Sequence, residues 1–195
     1  MNERDLDFLF EVGSHRNMAR GWKQHLGTDV ASNLEHSFRV VMIALLLARK
    51  EKITDEEKVI KMALLHDLAE SRVSDLSIVQ KVYVKADENR AFKDLIAGTS
   101  FPDFKDVMHE YEERKSPESR IVKDADNLDI EVELKELEER GSKLPDRWKH
   151  FRKKIRNEKL YTESAKKLWD MLQTADVARW HLETNKWVLM PEAGK

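Results

Sequence analysis

Cysteine is absent from the 195 residues. Disulfides, thiolate metal sites and cysteine nucleophiles are therefore excluded. Glycine and proline are scarce, six and four residues respectively, roughly 5% of the chain where about 12% is usual. So few breakers leave room for long helices and little for a turn-rich β fold. A long hydrophobic run is also missing. The longest uncharged apolar stretch, Val40 to Ala48, falls far short of the ~18 residues needed to span a bilayer. The opening Met1-Asn2-Glu3-Arg4-Asp5 is too acidic, and too poor in apolar followers, for a secretory signal. Neither charge sign dominates. Lys and Arg number 35 against 37 Asp and Glu, a net charge of −2, which argues against wholesale electrostatic binding to DNA or acidic membrane. The 41% of hydrophobic residues is enough for a core, so the chain is not disordered. Its length suits one domain. The expectation is a cytoplasmic, all-α protein with no membrane or nucleic-acid partner.

Helix starts recur along the chain. Ser32-Asn33-Leu34-Glu35 has the capping-box pattern, in which hydroxyl and carboxylate each satisfy a free backbone N–H. It predicts a helix to about Lys50. Thr54-Asp55-Glu56-Glu57 repeats the pattern and predicts a second helix through Glu70. Ser116-Pro117 and Gly141 frame a third, from Pro117 to Arg140. Further helices are expected over 3–12, 78–97, 103–115 and 160–185. No repeat, low-complexity tract, linker or sustained period-two alternation interrupts them.

Three of these helices carry polar groups on apolar faces. The helix from Leu34 is apolar almost all round, which marks it as central, and at about 100° per residue His36 shares a face with Val40, Ile43 and Leu47. A single histidine there is most often a satisfied core residue. The next helix is apolar too, yet its last turns carry His66, Asp67 and Glu70 within one arc. Buried carboxylates cost several kcal/mol unless a cation compensates, so either this end frays into water or a cation is present. On the third helix Asp126, Asp129 and Glu133 border the stripe of Ile121, Ala125, Leu128 and Val132. Periodicity alone does not choose among them. Two imidazoles and two carboxylates brought together would suit a divalent transition ion, unlike an all-oxygen calcium site.

A His early on one helix, an adjacent His-Asp on the next and a later Asp is the pattern of the HD-domain metal-dependent phosphohydrolases. The matching residues are Glu35-His36-Ser37, His66-Asp67-Leu68-Ala69-Glu70 and Lys123-Asp124-Ala125-Asp126. With Asp75 and Glu110-Tyr111-Glu112 the chain resembles the 5'-deoxynucleotidase-like branch, from about Phe8 to about Leu137. The resemblance implies one compact helical HD domain over 1–195, with core motifs at 20–137 and a helical extension at about 145–190. It implies that His36, His66, Asp67 and Asp126 ligate one divalent cation (Mn, Co, Ni, Fe, Zn or Mg), and so favours Asp126 among the acids of the third helix. It further implies hydrolysis of deoxynucleoside 5'-monophosphates to nucleoside and phosphate. Glu70 is then the proton-transfer residue. Asp75 acts beside it in catalysis and, with Leu76, in substrate contact, and in some relatives Glu70 and Asp75 are suggested to hold a second ion. Asp67 and Asp126 also face the substrate.

In such relatives an Arg near a Trp, ahead of the first His, orients phosphate and packs on the sugar. Here these are Arg20 and Trp22, separated by Gly21, a spacing that departs from the adjacent pair of some relatives. Two other features stand apart from the motifs. Residues 147–156 interleave six basic residues with Trp148 and Phe151, as single-strand binders do, or as a solvated helix face does. Trp169, Trp180 and Trp187 are spaced like core or interface contacts of a terminal helix, which fits the homodimer common in this family. The competing readings are an HD enzyme for cyclic or di-phosphorylated nucleotides, and a non-catalytic nucleotide- or RNA-binding protein with a structural metal.

Overall fold

Side-chain caps start the long helices of the computed structural model, which describes residues 2–27 and 30–189. Helix α1 (Glu3–Ser14) opens on a reciprocal Asn2–Asp5 capping box. After a single turn, α2 (Lys23–Leu26), comes α3 (Asn33–Lys50), where Ser32 and Glu35 form the expected box. Helix α4 (Glu56–Leu65) is capped by Asp55, which accepts from the Lys58 N–H at 3.0 Å. Thr54, the expected cap, lies one residue too early. The short turns α5 (Glu70–Val73) and α6 (Gln80–Tyr83) lead to α7 (Glu88–Ile96), capped by Asp87. Helix α8 (Phe104–Glu113) ends at Arg114, and Ser116-Pro117 starts the long α9 (Pro117–Glu139). The extension consists of α10 (Leu144–Arg147), α11 (Lys149–Glu158), α12 (Glu163–Leu172), α13 (Arg179–Leu182) and α14 (Lys186–Leu189). The fold is all-α; an isolated bridge between Ala19 and Ser32 is the one β contact among the described residues. No described helix is long and apolar enough to cross a membrane.

Three expected helices are shorter than the periodicity predicts. The second stops at Leu65 instead of Glu70. The helix expected over 78–97 is two pieces, because Val84 is extended and Asp87 starts a new cap. Ile78, Val82 and Tyr83 are each more than 70% exposed, so no packing holds that stretch in one rod. The helix expected over 160–185 ends at Leu172. Trp169 is buried, whereas Trp180 and Trp187 are exposed.

Helix α3 packs on α4 and α9, and α9 also carries α8 and α12. Val40, Ala44 and Leu47 meet Val59 and Met62 of α4 and Val122 and Ala125 of α9, all essentially inaccessible. The face of α3 bearing Leu34, Phe38, Met42 and Leu46 is exposed instead. Its apolar composition all round therefore does not mean burial all round.

Asp124 ties the extension to α9. Fully buried, its carboxylate accepts from the Tyr161 N–H at 2.7 Å, the Thr162 N–H at 2.9 Å and the Thr162 hydroxyl at 2.7 Å. Asp124→Ala leaves two backbone donors without their acceptor. The expected loss is about 3 kcal/mol, or roughly 6–12 °C in Tm, measurable by calorimetry. A Tm within 2 °C of wild type, about what 0.5–1 kcal/mol would move, would show that water replaces the carboxylate at no cost.

Candidate metal centre

His36 from the first turn of α3, His66 and Asp67 from the end of α4 and Asp126 from the middle of α9 meet at one point. His36 Nε2 lies 3.1 Å from His66 Nε2, 3.3 Å from Asp67 Oδ2 and 3.4 Å from Asp126 Oδ1. His66 Nε2 is 3.2 Å from Asp67 Oδ2 and 3.9 Å from Asp126 Oδ1. The early end of α4 produces this arrangement. From Leu65 onward the backbone bonds run to the third residue back, as in Glu70 N–H to Asp67 O at 3.0 Å and Arg72 N–H to Ala69 O at 3.0 Å. Three residues per turn eclipse positions i and i+3, so Asp67 and Glu70 face the same cleft.

The donors fit a divalent cation. Bonds of about 2.1 Å require neighbouring donors about 3.0–3.4 Å apart, the range spanned by most of these contacts. His36, His66 and Asp67 alone form a group able to hold an ion. Each imidazole is held at its other nitrogen. His36 Nδ1 lies 2.6 Å from Asp129 Oδ2, and His66 Nδ1 lies 2.8 Å from the Ala63 carbonyl oxygen. Both Nε2 atoms are thereby turned toward the carboxylates, the usual support for metal-ligating histidines.

The electrostatics tell the same story. Burial alone would discharge His36, but Asp126, Asp129 and Asp67 raise its pKa well above the ordinary value. Burial pushes Asp67 upward and the His66 and His36 imidazoles reverse it, holding the carboxyl well below the usual range. Asp126 is likewise raised by burial and lowered further by Lys123, whose Nζ lies 2.6 Å away, and by His36. Without a metal, the negative cluster holds a proton on His36.

The three acids left open on α9 divide their work. Asp126 reaches the cluster, Asp129 orients His36 and pairs with Arg39, and Glu133 accepts from the Ala31 N–H at 2.7 Å. Glu70 accepts from the Asn33 amide at 2.5 Å. Burial, together with the charges of Asp67 and Asp75, pushes its pKa up to about 9. Asp75 follows Ser74, a non-glycine residue at φ 66°. It faces Arg20 Nε at 3.3 Å and accepts from the Gly21 N–H at 2.9 Å, while Arg20 Nη1 donates to Asp67 at 3.0 Å. Arg20 is buried, and its guanidinium stands 5.6 Å from the Trp22 ring centre. Gly21 explains the separated Arg and Trp. A Cβ there would lie 2.5 Å from the Asp75 carbonyl oxygen and 2.8 Å from the Ser77 nitrogen, so only glycine lets the Asp75 loop close on this strip. Leu76 lines the same cleft.

Sequence reasoning misses Asn33, and gives no role to Lys123 within its motif or to Arg114. Arg114, left-handed at φ 55°, lines the cleft with an Nη1 that lacks a hydrogen-bond partner among the described residues. Its signal is tertiary; only the Lys123 spacing, one turn before Asp126, is visible in one dimension.

Comparison with known proteins agrees with this geometry. The HD-domain family profile matches residues 12–174, further than the expected limit near Leu137, and takes in α10 to α12. A 5'-deoxynucleotidase HDDC2 from Danio rerio is 32% identical over 154 residues, covering 75% of each chain. The protein of that name from Dictyostelium discoideum is 30% identical over 159 residues, covering 74% of this chain and 83% of the other. The crystal structure of PH0347 protein from Pyrococcus horikoshii OT3 is similar with a TM-score of 0.69 at 31% identity, over 86% of this chain and 96% of that one. A conserved hypothetical protein from Pyrococcus furiosus gives 0.72 at 28% identity, over 87% and 99%. Because the profile runs through all four converging residues and most of the sequence, the chain belongs to the HD-domain family.

Proposed function

We propose that this chain is a divalent-metal-dependent phosphohydrolase that converts deoxynucleoside 5'-monophosphates to nucleoside and phosphate. One observation carries the reading: three of the four cluster residues, His66, Asp67 and Asp126, line a cleft of about 380 Å³ that is also lined by Arg20, Arg114 and Lys123. That volume suits a mononucleotide, and the three cations suit its phosphate. The name 5'-deoxynucleotidase borne by the relatives supports the substrate class.

His36, His66, Asp67 and Asp126 would hold the cation, which when bound polarises the phosphate and lowers the pKa of a water. Arg20 binds the phosphate through its planar fork, and Asp75 positions Arg20. Lys123 adds a second positive charge from the Asp126 side. Glu70, whose pKa burial and the charges of Asp67 and Asp75 push up, hands a proton to the leaving 5'-oxygen, and Asn33 aims it. Trp22 and Leu76 wall the sugar, leaving a 2'-hydroxyl without a partner, at a cost of ~1–3 kcal/mol if buried unpaired. The whole chain is read as one cytoplasmic HD domain. It pairs with a second copy through the exposed Trp180 and Trp187 of the extension; light scattering that returns a monomer would remove the pairing.

The test is phosphate release from a panel of 5'-, 3'- and cyclic nucleotides with Mn, Co and Mg. Release from deoxynucleoside 5'-monophosphates, with little from 3'-monophosphates or ribonucleotides, is expected. Equal rates on both sugars would remove the deoxyribose preference. Cleavage confined to cyclic or di-phosphorylated nucleotides would replace the substrate class.

A further inference from the structure

The segment 147–156 presents two faces. Trp148, Phe151, Arg152 and Ile155 all line the cleft that holds the metal cluster. Their spacing is that of one helical face. Lys149, Lys153 and Lys154 are exposed on the rest of α11, so the aromatic and basic residues do not alternate along one binding surface. Helix α9 lines the same cleft. Lys123, Asp126, Ile130 and Leu134 line it in succession, and at 1.5 Å per residue Ile130 and Leu134 stand about 6 and 12 Å beyond Asp126 along the helix.

Arg152, the basic residue on this face of α11, is already engaged. Arg152 Nε donates to Glu131 at 2.9 Å, its Nη1 to the Pro145 carbonyl oxygen at 3.1 Å and its Nη2 to Gln173 at 3.1 Å. Arg152 and Glu131 are both buried, and each neutralises the other. Phe151, in contrast, is an apolar ring at the cleft wall that stays 61% exposed, with the His150 ring 5.7 Å away.

We propose that Trp148, Phe151 and Ile155 of the extension, facing Ile130 and Leu134 of α9, form the subsite for the substrate's uncharged planar base. The inference rests on the nucleotide reading above and deepens it. A phosphate held at Lys123, beside the cation site, projects its base along α9 toward these side chains, on the order of two helical turns away. Stacking on an aromatic face tolerates any base, so the subsite favours nucleotides over base-free sugar phosphates more than one base over another.

The test compares wild type, Phe151→Ala, Phe151→Trp and the opposite-face control Lys153→Ala. Two readouts are used: kcat/KM on a deoxynucleoside 5'-monophosphate and on 2-deoxyribose 5-phosphate, and calorimetric binding of both compounds. Phe151→Ala is expected to lower the nucleotide-to-sugar-phosphate ratio about tenfold. Phe151→Trp should restore it, and Lys153→Ala should leave it at the wild-type value. An unchanged ratio in Phe151→Ala, or equal losses on both compounds, would overturn the subsite while leaving the hydrolase reading intact. Nucleotide binding that weakens in Phe151→Ala, in a protein that releases no phosphate, would keep the subsite and overturn the hydrolase reading.

Discussion

Replacing His66 or Asp67 with alanine is expected to abolish phosphate release and weaken divalent-metal binding by more than 100-fold. Each removes a donor from a cluster whose members stand 3.1 to 3.4 Å from His36 Nε2, and no cysteine exists to replace it. Asp129→Ala should cost less, about 10–100-fold in metal affinity, because it removes only the group that orients His36. The affinity should also fall as pH falls. Burial acts to lower the His36 pKa, but the carboxylates of Asp126, Asp129 and Asp67 raise it well above the ordinary value. Below that raised pKa His36 carries a proton on a ligand nitrogen, so a cation must displace it and binding releases protons. Titration calorimetry in buffers of different ionisation enthalpy measures that release. Full metal occupancy of both His66→Ala and Asp67→Ala, by elemental analysis, would sink the assignment.

Glu70→Ala should separate chemistry from metal binding. The side chain is held by Asn33 rather than by the cluster, so the variant is expected to keep its first ion and its fold. Turnover is expected to fall ~10²–10⁴-fold, the range for loss of a positioned proton donor. Burial and the negative charges of Asp67 and Asp75 push the Glu70 pKa up to about 9. The carboxyl therefore keeps its proton below that value and loses it above. Glu70→Gln, which retains an oxygen for Asn33 but no acidic proton, should be as slow as Glu70→Ala. If raised metal concentration restores Glu70→Ala, Glu70 instead helps Asp75 to anchor a second ion. Unchanged turnover would reduce Glu70 to a buried neighbour of the site.

The all-α class, the start of α1 and the limits of α3 and α9 are legible in one dimension. Caps such as Ser32 with Glu35, and Ser116 with Pro117, act over three or four residues, and scarce glycine and proline leave the helices uninterrupted. The residues of the candidate metal site are brought forward in the sequence for a different reason. The His36, His66-Asp67 and Asp126 motifs resemble a family pattern, whereas periodicity left Asp126, Asp129 and Glu133 equivalent. Those three acids differ only in what α3 and the chain before it set opposite them: His36 Nε2, His36 Nδ1 and the Ala31 N–H. Contacts about 90 to 100 residues apart leave no mark on local spacing. The same holds for the end of α4 at Leu65, where tighter backbone bonds turn Asp67 and Glu70 together. Residues 147–156 read as a basic stretch because charge is counted along the chain. Packing against α9 divides it, turning Trp148, Phe151 and Ile155 into the cleft and leaving the lysines in water. Composition and capping determine which segments are helical. Only the tertiary packing decides which side chains face one another, because that depends on groups brought together from distant parts of the sequence.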